Sequence, residues 1–346
     1  MYQTIVRPLM FVLSREDPEE AHILAKRLLK WIQASPNILA FIEYLNEARR
    51  NSNPVVVAGV TFPNRVGLAA GFDKNAEMLL ALQALGFGFI EVGTVLPRYQ
   101  KGSDRPRLFR FPKHLLNRMG FNSDGVDAVI KNLESYGHSI RVPLIGSLGK
   151  MKETPNDDAA DDYVEVLRKI RRFVKILTAN VSSPNTPDLR KLQGKAYLEN
   201  LGRQLIAAER DQARKERSLA RPIFVKVAPD LTEQEIEETV GAAVDGGISG
   251  FIATNTTTDP AVKRALGTSE AGGVSGDLLF LKARNTVTRI KKLAPKLSLI
   301  AVGGINSPER AEIMFDIGAD LIQIYTGWIY HGPRLVYDIR RMGWRM

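Results

Sequence analysis

Ile176-Leu177-Thr178-Ala179-Asn180-Val181-Ser182-Ser183-Pro184-Asn185-Thr186 holds the organisation of this chain in miniature. Its first half, Ile176–Val181, reads as a short apolar strand. Its second half is a polar loop turned by Pro184. Asn180, Ser182 and Ser183 cannot all be core, and Asn185 and Thr186 follow a turn-forming proline. An asparagine offers both a donor and an acceptor, which suits an amide- or imide-bearing ligand. A polar turn capping the next helix is the plainer alternative, and only the surroundings can separate the two.

Outward from this unit the same pattern recurs: short apolar strand, polar loop, amphipathic helix. The strands read as Val66–Ala70, Phe89–Val92, Leu144–Gly146, Ile176–Val181, Ile223–Val227, Phe251–Thr254, Leu299–Val302 and Leu321–Tyr325. Helical stretches between them include Asn75–Leu85, Tyr163–Val174, Glu233–Val244 and Pro308–Ile317. Such alternation predicts an α/β fold, a (β/α)8 TIM barrel. An open doubly wound sheet is the alternative, but it usually carries Gly-x-Gly-x-x-Gly after its first strand. Here Gly67-Leu68-Ala69-Ala70-Gly71 stands in that place.

Residues 1–53 read as a separate N-terminal two-helix extension, and residues 54–346 as the barrel. Asp17-Pro18-Glu19-Glu20 is a helix start, with Asp17 as N-cap and Glu20 completing a capping box. Ala21, Leu24, Ala25, Leu28 and Ile32 then share one face. Ser35-Pro36 begins a second helix bearing Ile38, Leu39, Phe41, Ile42 and Leu45. These helices could pack on the barrel, or form an apolar hood open to a lipid-soluble ligand or a membrane surface. Asn51-Ser52-Asn53-Pro54 is the expected linker, and Val55–Phe62 a hairpin plugging the barrel floor.

Composition narrows the function. The chain has 346 residues, 44% of them hydrophobic, and no cysteine, which removes disulfides, thiolate metal sites and any cysteine base. Four histidines, His22, His114, His138 and His331, are scattered without metal-ligand spacing. No run approaches the roughly 20 apolar residues of a membrane span, and no signal peptide is read at the N-terminus. Net charge is +10, with one basic concentration from Arg98 to Arg118 and another from Lys282 to Lys296. Neither carries a nucleic-acid motif, so no nucleic-acid partner is expected.

In a barrel, chemistry lies where strands end. Those positions hold Ala70-Gly71-Phe72-Asp73-Lys74, Gly93-Thr94, the Asn180 cluster, Thr254-Asn255-Thr256, Gly303-Gly304 and Gln323-Ile324-Tyr325-Thr326-Gly327. Gly272–Gly276 adds a flexible, amide-rich loop. Glycines on one rim suggest backbone N–H groups presented to a phosphate-bearing cofactor. Lys226 lies inside an apolar strand, and a buried ammonium needs a partner. It can pair with Glu91, also mid-strand, or stand as a cation beside a flavin ring.

Leu68–Lys74, Glu91–Pro97, Asn117–Asn122, Asn180–Arg190, Val225–Leu231, Ala253–Thr257, Gly272–Gly276, Val302–Ile305 and Gln323–Gly327 together resemble the dihydroorotate dehydrogenases. With the Asp17–His22 helix, they resemble the class 2, membrane-associated, quinone-reducing branch. The resemblance implies an enzyme that oxidises dihydroorotate to orotate on FMN, the fourth step of de novo pyrimidine synthesis, with a membrane quinone as electron acceptor. It makes Ser183 the base that takes a proton from C5 while hydride passes from C6 to flavin N5. A serine has too high a pKa for this unaided, so desolvation and a proton relay lined by Thr186 and Phe121 must help. Substrate falls to Lys74, Asn117, Asn180, Asn185, Asn255 and Thr256. FMN falls to Ala70, Gly71, Thr94, Ser147, Asn180, Lys226, Thr254, Gly276, Gly303, Gly304, Tyr325 and Thr326. The quinone head group falls to His22 and Arg110. No metal is called for. The expected setting is peripheral, on the cytoplasmic side of the cell membrane through the N-terminal helices, and the expected state is a monomer.

Two stretches depart from the family pattern. Ile145-Gly146-Ser147-Leu148-Gly149-Lys150-Met151-Lys152 has Ser147 and Met151 where asparagines are usual, which puts flavin affinity or potential in question. After Gly276, Asp277-Leu278-Leu279-Phe280 replaces the usual small or basic residue and proline. Two other readings remain beside this one. A tRNA dihydrouridine synthase would need a cysteine and an appended RNA-binding domain. An inactive barrel serving as a binding module would have the Ser147 and Met151 departures as its support.

Overall fold

The computed structural model describes residues 2–47, 54–186 and 188–342. Among these residues thirteen strands run in chain order: β1 Val55–Val57, β2 Val60–Phe62, β3 Val66–Leu68, β4 Phe89–Val95, β5 Leu108–Phe111, β6 His114–Asn117, β7 Leu144–Leu148, β8 Ile176–Asn180, β9 Ile223–Val227, β10 Gly250–Ala253, β11 Gly273–Gly276, β12 Ser298–Val302 and β13 Leu321–Ile324. Eight of them close a parallel barrel in the order β3-β4-β7-β8-β9-β10-β12-β13, so the expected (β/α)8 architecture is present. These strands are buried along nearly their whole length, which is why the sequence shows them as short apolar runs without alternation.

Inside the barrel Phe89, Ile145, Ile176, Phe224, Ile252, Ile300 and Leu321 form a packed core, and Val57 and Phe62 of the β1–β2 hairpin belong to the same cluster. The hairpin is the floor plug that the sequence suggested. Gly67 shows how closely this core is filled. A Cβ there would meet the Phe89 ring at 2.3 Å, so no larger residue fits opposite that phenylalanine. A second shell of apolar side chains lies between strands and outer helices.

Several boundaries differ from expectation for local reasons. The helix expected over Asn75–Leu85 spans only Leu79–Ala84. Asp73 accepts from the N–H groups of Glu77 and Met78, both at 2.8 Å, and holds the preceding residues as a turn. The helix expected over Tyr163–Val174 runs Ala159–Ile170, stopping where Arg171 turns inward to Glu209. Gly272–Gly276 is no free loop: β11 pairs antiparallel with β6, making a three-stranded sheet with β5 beside the barrel mouth.

The extension has more helix than expected. A π-helical stretch, Tyr2–Val6, and α1, Arg7–Leu13, precede α2, Pro18–Gln33, and α3, Pro36–Glu47. Asp17 caps α2 as expected, accepting from Glu19 N at 2.7 Å and Glu20 N at 3.1 Å. No capping box forms, because Glu20 instead takes Arg105 Nη1 at 2.6 Å. That contact is one of a set. Arg107 binds Glu19 at 2.8 Å and Arg110 pairs with Glu16, so the basic segment meets the acidic start of α2. The far end docks through Tyr2 Oη on Ile329 O and Arg7 on Tyr330 O, both at 2.8 Å. Of the expected linker only Pro54 lies within the described residues.

Candidate active site

The ends of the barrel strands, together with β5, β6 and β11, enclose a cavity of about 1150 Å³ that is partly continuous with solvent. Most of the residues singled out in the sequence meet here. Ala70, Gly71, Lys74, Thr94, Asn117, Phe121, Asn180, Ser183, Asn185, Lys226, Thr254, Asn255, Thr256, Gly276, Gly303, Gly304, Tyr325 and Thr326 all line it.

Their mutual geometry is a network of amides and hydroxyls. Asn180, at the end of β8, donates from Nδ2 to Thr94 Oγ1 at 2.7 Å, and its Oδ1 accepts from Ser182 Oγ at 3.2 Å. Asn255 Nδ2 reaches Ser182 Oγ at 3.0 Å, and Asn255 Oδ1 accepts from Thr256 N at 2.8 Å. Across the cavity Asn185 Nδ2 donates to Asn117 Oδ1 at 3.2 Å. Ser183 is 6% exposed, and among the described residues its Oγ accepts only a long bond from Asn185 N, 3.3 Å. Its hydroxyl is therefore both desolvated and available.

Charge is concentrated at two places. Lys226 Nζ lies 3.0 Å from Glu91 Oε2, and the same oxygen accepts from Ala70 N at 3.0 Å. Lys226 thus has the Glu91 partner expected of a buried ammonium, and it also lines the cavity. Lys74 is half-buried and bonded to Asn122. Its pKa is pulled down to about 7, first by burial and then by the Arg107 and Lys26 cations.

Four expected residues stand elsewhere. Ser147 is fully buried and does not line the cavity; its short side chain stops on Thr94 Oγ1 at 3.3 Å, and Thr94 is what reaches the space. Thr186 is buried, outside the lining, with no hydrogen-bond partner for Oγ1 among the described residues. His22 packs edge-on to Phe72 at 4.9 Å, and Phe72 in turn meets Tyr325 at 6.0 Å. Burial, with Lys74 and Lys26 nearby, lowers the His22 pKa to about 4, so its imidazole is neutral at ordinary pH. Arg110 stacks over Phe11 at 3.8 Å. Met151, at the second departure, is buried, and its N–H donates to Asp162 Oδ2 at 2.8 Å.

Sequence reasoning missed Asn122, the partner of Lys74, and the apolar wall of Leu108, Leu115 and Met119. It also passed over Gln323 as a site residue. Gln323 lines the cavity at 1% exposure, yet neither of its amide atoms has a hydrogen-bond partner among the described residues. An amide near the end of an otherwise apolar strand was the available signal.

A sequence model of the dihydroorotate dehydrogenase family matches residues 54–342. A dihydroorotate dehydrogenase (quinone) of Idiomarina loihiensis is 43% identical over 97% of this chain and 98% of its own length. One from Dichelobacter nodosus is 42% identical over 97% of each. Among solved structures, a dihydroorotate dehydrogenase of Eimeria tenella in complex with ferulenol superposes with a TM-score of 0.83. It shares 33% identity over 97% of this chain and 93% of that one.

Proposed function

The chain belongs to the dihydroorotate dehydrogenase family, in its quinone-dependent branch, and we propose from that premise how its own residues carry the reaction. The reaction is oxidation of dihydroorotate to orotate with a quinone as acceptor. The observation that carries the proposed roles is the convergence of Ser183, five asparagines and two lysines on one cavity.

The prosthetic group is read as FMN, and the residues fit it. Gln323 presents a donor and an acceptor that no described residue engages, as the polar edge of a flavin requires. Lys226 places a cation at the cavity wall. Gly276 holds φ at +106°, where a side chain would be strained, and its Cβ would strike Lys113 O at 2.2 Å. With Gly303, Gly304 and Thr326 it forms a backbone-lined corner suited to a phosphate. Asp277, the acidic departure beside this corner, is turned away: Arg310 binds it at 3.0 Å and Asn306 donates to it. FMN bound here supplies a two-electron acceptor that the side chains lack.

The protein's own part is positioning and proton removal. Asn117, Asn180, Asn185 and Asn255 match the imide and amide groups of the substrate ring, and Lys74 its carboxylate. Ser183 takes the C5 proton, with Thr186 and Phe121 beside its exit path, as hydride leaves C6. Quinone approaches between the extension and the barrel, where Phe72 bridges His22 and Tyr325. The setting is a peripheral one on the cytoplasmic face of the cell membrane. No helix among the described residues is long and apolar enough to cross a bilayer.

Ser183→Ala tests the base. Flavin reduction by dihydroorotate is expected to slow by about 10³-fold, within the range for loss of a general base, with flavin content unchanged. A variant within about tenfold of wild type would remove Ser183 from that role.

A further inference from the structure

Ser182 and Arg190 are the two feet of the loop after β8, with Ser183 and Asn185 beside the first foot. Arg190 Nε donates to Ser182 O at 3.2 Å, joining the two feet. The same guanidinium reaches two further loops. Its Nη2 donates to Thr256 O at 2.9 Å, and its Nη1 to Asp230 Oδ2 at 3.0 Å and Thr258 Oγ1 at 3.2 Å. Asp230 is itself held, accepting from Thr258 N at 2.8 Å and from the Thr257 hydroxyl. Within the same 3₁₀ turn, Leu189–Gln193, Gln193 Oε1 accepts from Ala228 N at 2.9 Å. The second foot is thereby fixed to the end of β9.

Arg190 does not line the cavity, so it is not offered as a residue that touches the reacting atoms. We infer that Arg190, oriented by Asp230, is a positioning residue that sets the distance between the Ser183 hydroxyl and the Asn255–Thr256 side of the substrate. The inference rests on the reading of Ser183 as base. Its physical ground is geometry rather than charge. The pair is partly solvated, with side-chain exposures of 25% and 19%, where an ion pair alone is worth little. A planar guanidinium presents donors in fixed directions to three loops at once, which a lysine ammonium on a flexible stem does not. Displacing a reacting group by about 1 Å costs on the order of 10²-fold in rate.

Arg190→Lys and Arg190→Ala holoenzymes test this by anaerobic stopped-flow with dihydroorotate and its 5-deuterated form. Both are expected to reduce flavin about 100-fold more slowly, with a larger 5-deuterium isotope effect, while flavin content and Tm hold. Added guanidinium is expected to restore part of the Arg190→Ala rate. Wild-type rates and isotope effect in Arg190→Lys would overturn the inference. So would a loss in Arg190→Ala that follows Tm and is not rescued. If Arg190→Ala holds no flavin, Asp230→Asn carries the test: reduction slowed about tenfold supports the inference, and a wild-type rate sinks it. Ser183→Ala measured alongside separates the two readings. If that variant is unaffected, the base assignment fails. If it is slow while Arg190→Lys is not, only the role of Arg190 fails.

Discussion

In the role proposed for it, Lys74 meets a carboxylate from a position where its own charge is only half secure. Burial, Arg107 and Lys26 bring its pKa to about 7, against an ordinary 10.5. A bound carboxylate favours the ammonium, so substrate binding draws a proton onto Lys74 at and above neutrality. The KM for dihydroorotate is therefore expected to rise as pH climbs through about 7, and Lys74→Met should raise KM at pH 6 and flatten the profile. A flat wild-type profile between about pH 6 and 9 would remove the lysine from carboxylate binding. The sign for stability is the opposite of that for binding. Between about 7 and 10.5 the unfolded chain holds more protons at this site, so stability contributed by Lys74 rises with pH.

The extension is the element with the largest unsettled surface. Leu9, Val12 and Leu13 of α1, Trp31 of α2 and Phe41 and Tyr44 of α3 are each more than half exposed. Trp31→Glu and Phe41→Glu are each expected to weaken binding to anionic vesicles about tenfold, the factor given by roughly 1.4 kcal/mol of lost apolar transfer. Flavin reduction by dihydroorotate should be untouched. Unchanged vesicle affinity would place the membrane surface elsewhere. Much of this element was legible in the sequence, because the Asp17 cap and the apolar spacing of α2 and α3 are local signals. The docking of α2 was not. Glu16, Glu19 and Glu20 meet Arg110, Arg107 and Arg105 across some ninety residues of chain, and no local pattern encodes such pairing. Asp73 makes the same point: its bonds to Glu77 and Met78 N–H groups shorten a helix that periodicity alone would extend.

Across the whole molecule, stability and chemistry occupy different layers. Outside the barrel Arg171, fully buried, grips Glu209 at 2.9 Å and Glu216 besides. Removing one partner leaves a buried charge, so Glu209→Gln is expected to cost about 3 kcal/mol in urea unfolding while kcat is unchanged. A smaller loss with reduced kcat would join that pair to the active site. The barrel itself was readable because parallel strands buried on both faces appear as apolar runs between turn signals. The rim was readable because polar residues at strand ends have few other reasons to be there. At Ser147, position in a motif does not show that a short side chain stops at Thr94. Gln323 escaped as a site residue because one buried amide is visible only when its unmatched atoms are. The most direct measurement is an anaerobic titration of the purified, FMN-supplied protein with dihydroorotate, followed by the oxidised-flavin absorbance. Rapid bleaching that a soluble quinone reverses, and fumarate or NAD does not, is the expected result. A yellow protein that dihydroorotate leaves unbleached would contradict the account.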